Sequence, residues 1–319
     1  MSNHLTIAWI TNRLDARPEY FLHSLANELN RTQFNRDNLS ILLVDFHLHY
    51  DTDGTRKAIY AAFIREAGLE GLVRHVPTAP SVWQGPHRLT KEDHFDAAAV
   101  RNGAVCYAKD GYFACVDDLS VMLPRWLDGV IEAQKTHYIA CGAYKKVKKL
   151  VVERGVVKSF EENPPGNDHR LNYPTMWKWC SGQWMYGCSL AAPVEAILKV
   201  NGWPALWCAG MGFEDSSFGV ALQRHGYLFR YDPRMMTYES EELHGQGKHF
   251  RRDDPGISPK DKSHALLDKC NGVVVFPNEF GDGLISLSEV RNRILSGGEF
   301  PIPTSPDREW FTGKPLPDL

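Results

Sequence analysis

The feature that most constrains this chain is the regular alternation of short apolar runs and helix-like stretches over its first 143 residues. Short apolar runs at 5–10, 112–116 and 138–143 read as strands, and 39–46, rich in Ile, Leu and Val, as a buried one. Between them, 18–29, 56–67, 92–109 and 124–134 have helical spacing. Pro18 opens the first of these helices, where proline is tolerated, and Gly68 and Gly111 follow the ends of two others. Strand–helix alternation of this kind predicts a mostly parallel central sheet flanked by helices. Ligands then gather at the carboxyl ends of the strands. Asp45 and Asp117-Asp118 both stand at predicted strand ends.

The second half is less regular. A basic–apolar alternation over 145–162 reads as a hairpin, 163–173 as a loop, 193–200 and 214–225 as helices, and 227–231 as a strand. Beyond about residue 276 glycine and proline accumulate, and Pro301, Pro303, Pro306, Pro315 and Pro317 predict an extended tail. The expected organisation is one domain over 1–270, with a Pro/Gly-rich extension over 271–319 packed on it or trailing from it. A content of 43% hydrophobic and 24% charged residues is that of a globular chain. The net charge of -3 gives no chain-wide attraction to nucleic acid or anionic membrane. No apolar run is long enough to span a bilayer, and the opening run lacks the basic lead-in and cleavage site of a signal peptide, so a cytoplasmic location is expected. Seven cysteines without Cys-x-x-Cys spacing fit neither a zinc site nor a disulfide framework, and most are expected to be buried small hydrophobes.

Two acidic motifs carry the chemistry. Tyr112-Phe113-Ala114-Cys115-Val116-Asp117-Asp118-Leu119 is a strand ending in paired carboxylates. Hard oxygen ligands so placed can hold Mg2+ or Mn2+ against a diphosphate, although a solvated acidic turn has the same sequence. Gly210-Met211-Gly212-Phe213-Glu214-Asp215 places a second acidic pair at a helix start. That pair suits either an N-terminal cap or a general base facing a hydroxyl.

Together the motifs resemble those of the GT-A glycosyltransferases, closest to family two and the related galactosyltransferase C-terminal region. Pro124 with Trp126-Leu127, the segment Gly187 to Leu198, the turn Asn201-Gly202-Trp203 and the block from Trp203 to Gly226 are similar to the family's elements in order and spacing. The similarity covers roughly 5–250. It implies a nucleotide-sugar donor, UDP-linked by default. The implied donor contacts are Thr11, Asn12, Arg13, Asp45, Arg101, Asn102, Asp117 and Lys248. It also implies a manganese or magnesium ion held by Asp117 and Asp118, with His244 completing the site and His249 as an alternative. Leu119 stands where the family has its second metal-binding Asp, so either Asp118 takes that role or metal binding is weak or absent.

The same resemblance implies an inverting displacement, with Asp215 as the base and Glu214 holding an acceptor hydroxyl or orienting the loop. Trp184 and Trp207, from the tryptophan-rich stretch that also holds Trp177, Trp179 and Trp203, are candidate acceptor contacts. The acceptor is expected to be a saccharide or glycoconjugate. The basic run Lys145-Lys146-Val147-Lys148-Lys149 is read chiefly as a solvated hairpin edge. It leaves open an anionic acceptor, with transfer to hydroxymethylated DNA bases as a second reading. A nucleotidyltransferase is a third, disfavoured because the loop after the first strand has no glycine. A non-catalytic nucleotide-sugar-binding protein is a fourth, to which Leu119 points.

Overall fold

The strand at the centre of the fold, β1 (Leu5–Thr11), is buried at every position, as expected for a strand covered on both faces. The computed structural model describes residues 3–81, 84–87, 96–163, 168–204, 214–246 and 286–302. On one side β1 pairs in parallel with β2 (Leu39–Asp45), which pairs in parallel with β3 (Val73–Pro77). On the other side it pairs in parallel with β4 (Tyr112–Asp117). The chain thus leaves β1 in one direction and returns on its far side, creating a switch point between β1 and β4.

Beyond β4 the sheet is mixed. β9 (Ser189–Pro193) lies antiparallel between β4 and β6 (Ile139–Glu153), and β10 (Phe229–Ser240) is parallel to β6. β5 (Ser120–Met122) and β8 (Lys178–Cys180) pair antiparallel with β10. β7 (Val156–Glu162) closes a hairpin with β6. The parallel character expected from the alternation therefore belongs to β3-β2-β1-β4 and to β6-β10. The short antiparallel strands fill in between and at the edges.

Helices cover both faces. Alternate β1 residues Leu5, Ile7 and Trp9 pack under α1 (Pro18–Thr32), α4 (Trp126–Thr136) and Tyr60 of α2 (Thr55–Glu66). Ala8 and Ile10 point the other way, into the core under α3 (Ala97–Tyr107), α5 (Val194–Lys199) and α6 (Glu214–Arg224). α3 is buried over almost its entire length, which only small residues allow. At Gly103 a Cβ would sit 2.7 Å from Thr78 Oγ1 and 2.8 Å from Ala79 N. A short helix, α7 (Glu241–Gln246), follows β10.

The C-terminal extension departs from the expected extended chain. Residues Leu287–Leu295 form a helix, α8, opened by a capping box between Ser286 and Glu289. Leu287 and Val290 join the α3 side of the core, and Arg291 donates to Ala108 O. Residues 303–319 lie outside the described residues. Cys106, Cys115, Cys141 and Cys188 are buried free thiols, as expected. Cys208 and Cys270 lie outside the described residues. Among those described, no helix is long and apolar enough to cross a membrane.

One cap ties two helices together. The residue before α4, Arg125, has φ +78° and no side-chain cap of its own. Glu28, a buried residue of α1, instead accepts from Arg125 N (3.0 Å) and Leu127 N (2.9 Å), and its charge is matched by Arg31. Glu28→Ala removes two buried acceptors and a favourable charge at a helix N-terminus. It is expected to cost about 2–3 kcal/mol, read as a lower urea midpoint with an unchanged slope, and Glu28→Gln is expected to retain part of this.

The basic hairpin carries its own counter-charge. Lys145 pairs with Glu162 and Lys149 with Glu161, each at 2.6 Å. The run is not the sheet edge expected from the sequence: 145–147 lie in β6 with β10 on one side, and β7 pairs on the other.

Candidate active site

The two acidic pairs meet at one arginine. Arg101, on α3 and 2% exposed, donates from Nη2 to Asp117 Oδ1 (3.0 Å) at the end of β4. From Nη1 it donates to Glu214 Oε1 (3.1 Å) and pairs with Asp215 Oδ1 (3.1 Å) at the start of α6. Residues about a hundred positions apart in sequence are thus joined through a single buried guanidinium. Gly187 makes this possible, because a Cβ there would fall 1.7 Å from Arg101 Nη2.

Asp215 is held on both oxygens. Trp203 donates its indole N–H to Oδ1 (3.0 Å), and Gly187 N donates to Oδ2 (2.6 Å). Trp203 is itself fully buried and stacked on Phe218. Burial pushes Asp215 up to about 7 against the pull of Arg101, with Glu214 and Asp117 reinforcing the rise. Glu214 Oε2 is buried and has no hydrogen-bond partner among the described residues.

A cleft opens beside Asp117, at the switch point. It is lined by Thr11, Asn12 and Arg13 after β1, by Asp117, Asp118 and Leu119 after β4, and by Glu239 near the end of β10. Thr11 donates to Asp118 Oδ2 (2.8 Å), and Arg13 Nε lies 4.0 Å from the same oxygen. Burial pushes Asp118 up to about 7, opposed by Arg13 and raised further by Asp117. Burial likewise pushes Glu239 up to about 8, with Asp117 adding to the rise and Lys146 opposing it. The cleft thus gathers more buried carboxylate than cation. Asn12 lines it as well, 7% exposed, with neither side-chain polar atom partnered among the described residues. Among the described residues, no three His, Cys, Asp or Glu side chains are grouped so that they could hold a metal ion. The backbone of His244 lies in α7, and its side chain lies outside the described residues. Trp207, Lys248 and His249 also lie outside them.

Two expected donor contacts are used up by the protein itself. Asp45 is fully buried; its Oδ2 accepts from Arg56 Nε (2.5 Å) and His75 Nε2 (3.0 Å), and its Oδ1 from His47 N (2.9 Å). Burial pushes its carboxyl upward, but the hydrogen bonds from His75 and Arg56 outweigh that and hold it below the ordinary range. Arg56 in turn donates to Arg13 O, so Asp45 anchors the loop after β1 rather than facing the cleft. Asn102 exchanges hydrogen bonds with Trp203 N and O (both 2.8 Å), fixing the turn that aims Trp203 at Asp215. Trp184 is half-buried in a ring cluster with His169, Tyr173 and Tyr231, and it does not line the cleft beside Asp117. Glu239, Trp203 and Gly187 were not anticipated as parts of the site. Trp203 and Gly187 carried a signal, since both stand in segments similar to the family's, whereas Glu239 lies beyond the strand read at 227–231.

Asp96 opens α3, accepting from Ala99 N (2.9 Å) and Ser81 Oγ (2.6 Å) while fully enclosed. Burial pushes it up to about 7 from 3.8. Its folded value lies above its unfolded one. The stability it contributes is therefore complete below about pH 4 and lost as pH rises through about 7. Asp96→Asn keeps an equally good cap, so it is expected to flatten the fall in Tm between about pH 4 and 7.

No protein-family model matches the chain, and no curated protein matches it in sequence. Solved structures do match it in shape. A structure of GalNAc-T7 with UDP, GalNAc and Mn2+ superposes with a TM-score of 0.55 at 12% identity, over 97% of this chain and 56% of that one. A structure of S. aureus TarS 1-349 with UDP superposes with a TM-score of 0.52 at 12% identity, over 92% of this chain and 69% of that one. The chain thus spans just over half the length of the first. The curled mixed sheet, the helices on both faces and these superpositions identify the fold of this chain as that of the GT-A glycosyltransferases.

Proposed function

We propose that this protein transfers a sugar from a nucleotide-sugar donor to a hydroxyl of a saccharide or glycoconjugate, with inversion at the anomeric carbon. The observation that carries the reading is the Arg101 bridge, which sets the acid pair at the end of β4 beside the acid pair at the start of α6. The donor would lie in the cleft at the switch point. Thr11, Arg13 and the amide of Asn12 would meet its nucleotide, and Arg101 would stand beside the diphosphate, with Lys248, outside the described residues, as a further candidate there. UDP is the default carrier, and both GalNAc-T7 and TarS were solved with UDP.

A divalent cation, Mn2+ or Mg2+, would be held by Asp117 and Asp118 with His244, and when bound it neutralises charge on the departing diphosphate. The surplus of buried carboxylate at Asp118 and Glu239 fits a cation there, and the GalNAc-T7 structure contains Mn2+. Leu119 supplies no ligand, which places the burden on Asp118.

Asp215 takes the proton from the attacking hydroxyl. Its Oδ2 accepts one N–H, so a lone pair remains, and its elevated affinity for protons suits a base working near neutral pH. Glu214 Oε2 accepts from a neighbouring acceptor hydroxyl, and Trp207 remains the candidate for a face against the acceptor ring, since Trp184 packs on Tyr231 away from the cleft. The test is mass spectrometry of an acceptor pool incubated with mixed nucleotide sugars. A single-sugar mass gain that depends on the protein is expected, with an inverted anomeric centre by NMR. Nucleotide-sugar turnover with no acceptor gain, or retained configuration, would refute the respective part.

A further inference from the structure

We propose that the C-terminal helix α8 fixes the orientation of Asp215: through Asn201 and Leu287 it clamps the turn that aims Trp203 at that carboxylate. The inference rests on the reading of Asp215 as the base. It makes Asn201 and Leu287 positioning residues, since neither lines the cleft.

The turn begins where α5 runs out. Asn201 N donates to Leu198 O and Gly202 N to Ile197 O, and both residues take left-handed backbone, with φ +64° and +77°. Asparagine is one of the few residues other than glycine that tolerate the first of these. Its side chain reaches out of the turn. Asn201 Oδ1 accepts from Leu287 N (2.7 Å), one of the N–H groups that a helix leaves open at its start. The capping box of Ser286 and Glu289 serves other N–H groups, so the bond to Asn201 is a separate tie from outside the helix. Gly202 is held between two helices. A Cβ there would collide with Asn102 Oδ1 of α3 and fall 2.7 Å from Leu287 Cδ2 of α8. Trp203 follows directly, its N and O bonded to Asn102 and its indole N–H donated to Asp215 Oδ1 (3.0 Å).

α8 is anchored well enough to act as a brace. Leu287 and Val290 are buried. Arg291 donates from Nε (3.0 Å) and Nη2 (2.7 Å) to Ala108 O at the end of α3, and pairs with Asp110 (2.7 Å). Beyond the helix, Phe300 meets Tyr107 of α3 edge-on, with centroids 5.6 Å apart. Because α3 also carries Arg101, the same brace backs both groups that hold Asp215 Oδ1. With the indole on one oxygen and Gly187 N on the other, the carboxylate has a single orientation. Without the indole, Oδ1 keeps Arg101 alone among the described residues, and that guanidinium also serves Glu214 and Asp117. The carboxylate is then free to rotate away from an attacking hydroxyl, and small misplacements of a reacting group are costly in rate.

The test is NMR of the full chain with isotope-labelled tryptophan, the Trp203 indole resonance being assigned from Trp203→Phe, together with kcat and UDP affinity. Asn201→Gly keeps the left-handed turn and removes the acceptor for Leu287 N. Leu287→Ala removes the side chain that packs on Gly202. In both, the indole N–H resonance is expected to move upfield as its hydrogen bond lengthens. In both, kcat should fall about tenfold or more while UDP affinity stays within about twofold. Asn201→Asp keeps an oxygen acceptor at the helix start and is expected to restore both readouts. Glu28→Ala, on the far side of the sheet, is the control for lost stability: at a comparable fall in Tm it should move neither. An unmoved indole resonance in Asn201→Gly overturns the proposal. So does an equal change in Glu28→Ala, or a shifted resonance with full kcat. If the wild type transfers nothing, the proposed reaction fails, and the ligand-free resonance still decides whether α8 sets the bond between Trp203 and Asp215.

Discussion

Asp215→Asn is expected to leave nucleotide binding within a few-fold of wild type while reducing transfer by about 10² to 10⁴, the usual contribution of a positioned general base. The carboxylate touches none of the loop after β1. Its partners are Trp203, Gly187 and Arg101, so the donor cleft keeps its lining. An Asn side chain retains one oxygen for a donor but turns its amide against another N–H, so a modest fall in Tm accompanies the kinetic loss. The wild-type pH profile sharpens the assignment. A base raised to about 7 by burial is protonated and idle below that pH, so kcat/KM should rise through about pH 7 and flatten above it. Glu214→Gln should raise KM for the acceptor more than it lowers kcat, because its free oxygen binds rather than deprotonates. The opposite pattern, with Glu214→Gln abolishing kcat and Asp215→Asn sparing it, transfers the base to Glu214.

The largest effect on stability is expected at Arg101. Arg101→Met fills similar volume but strands Asp117, Glu214 and Asp215 around a position that is 2% exposed. Breaking a buried ion network by removing one partner costs about 3–5 kcal/mol, since the remaining charges keep their desolvation penalty. The stranded carboxylates escape that penalty only by binding protons. The loss should therefore be smaller at pH 6 than at pH 8, as read from urea midpoints. Arg101→Lys is not expected to rescue it, because one ammonium cannot direct donors to both acidic pairs at once. Equal stability of wild type and Arg101→Met across this pH range would mean that the bridge holds nothing together.

The sequence made visible whatever is contiguous. Asp117-Asp118 and Glu214-Asp215 are adjacent in the chain and sit at element ends, and the runs that became β1, β2 and β4 are apolar enough to be read as strands. β10 was read only at its start, because Asp232, Thr237 and Glu239 occupy buried positions and Pro233 interrupts the run. Glu239 was lost with it. β5 and β8, three residues each, are too short to show any period. Asp45 and Asn102 show another limit. Each has the right chemistry near the right strand end. Whether a polar group faces a ligand or a neighbour depends on Arg56, His75 and Trp203, which arrive from distant elements. The same holds for Trp177 and Trp179. They belong to the tryptophan-rich stretch that also supplies the acceptor candidates Trp184 and Trp207, and Trp179 pairs with, and Trp177 stacks on, Arg230 at the start of β10.

The central claim, that the carboxylates at the end of β4 and the loop after β1 form a cation-assisted nucleoside diphosphate site, is tested most directly by calorimetric titration with UDP, GDP, CDP and ADP in Mn2+. Saturable binding of one nucleotide, UDP by default, is predicted, weakened by about tenfold or more on chelation of the metal and in Asp118→Asn. Absence of binding by all of them, or binding indifferent to both the cation and Asp118, would contradict it.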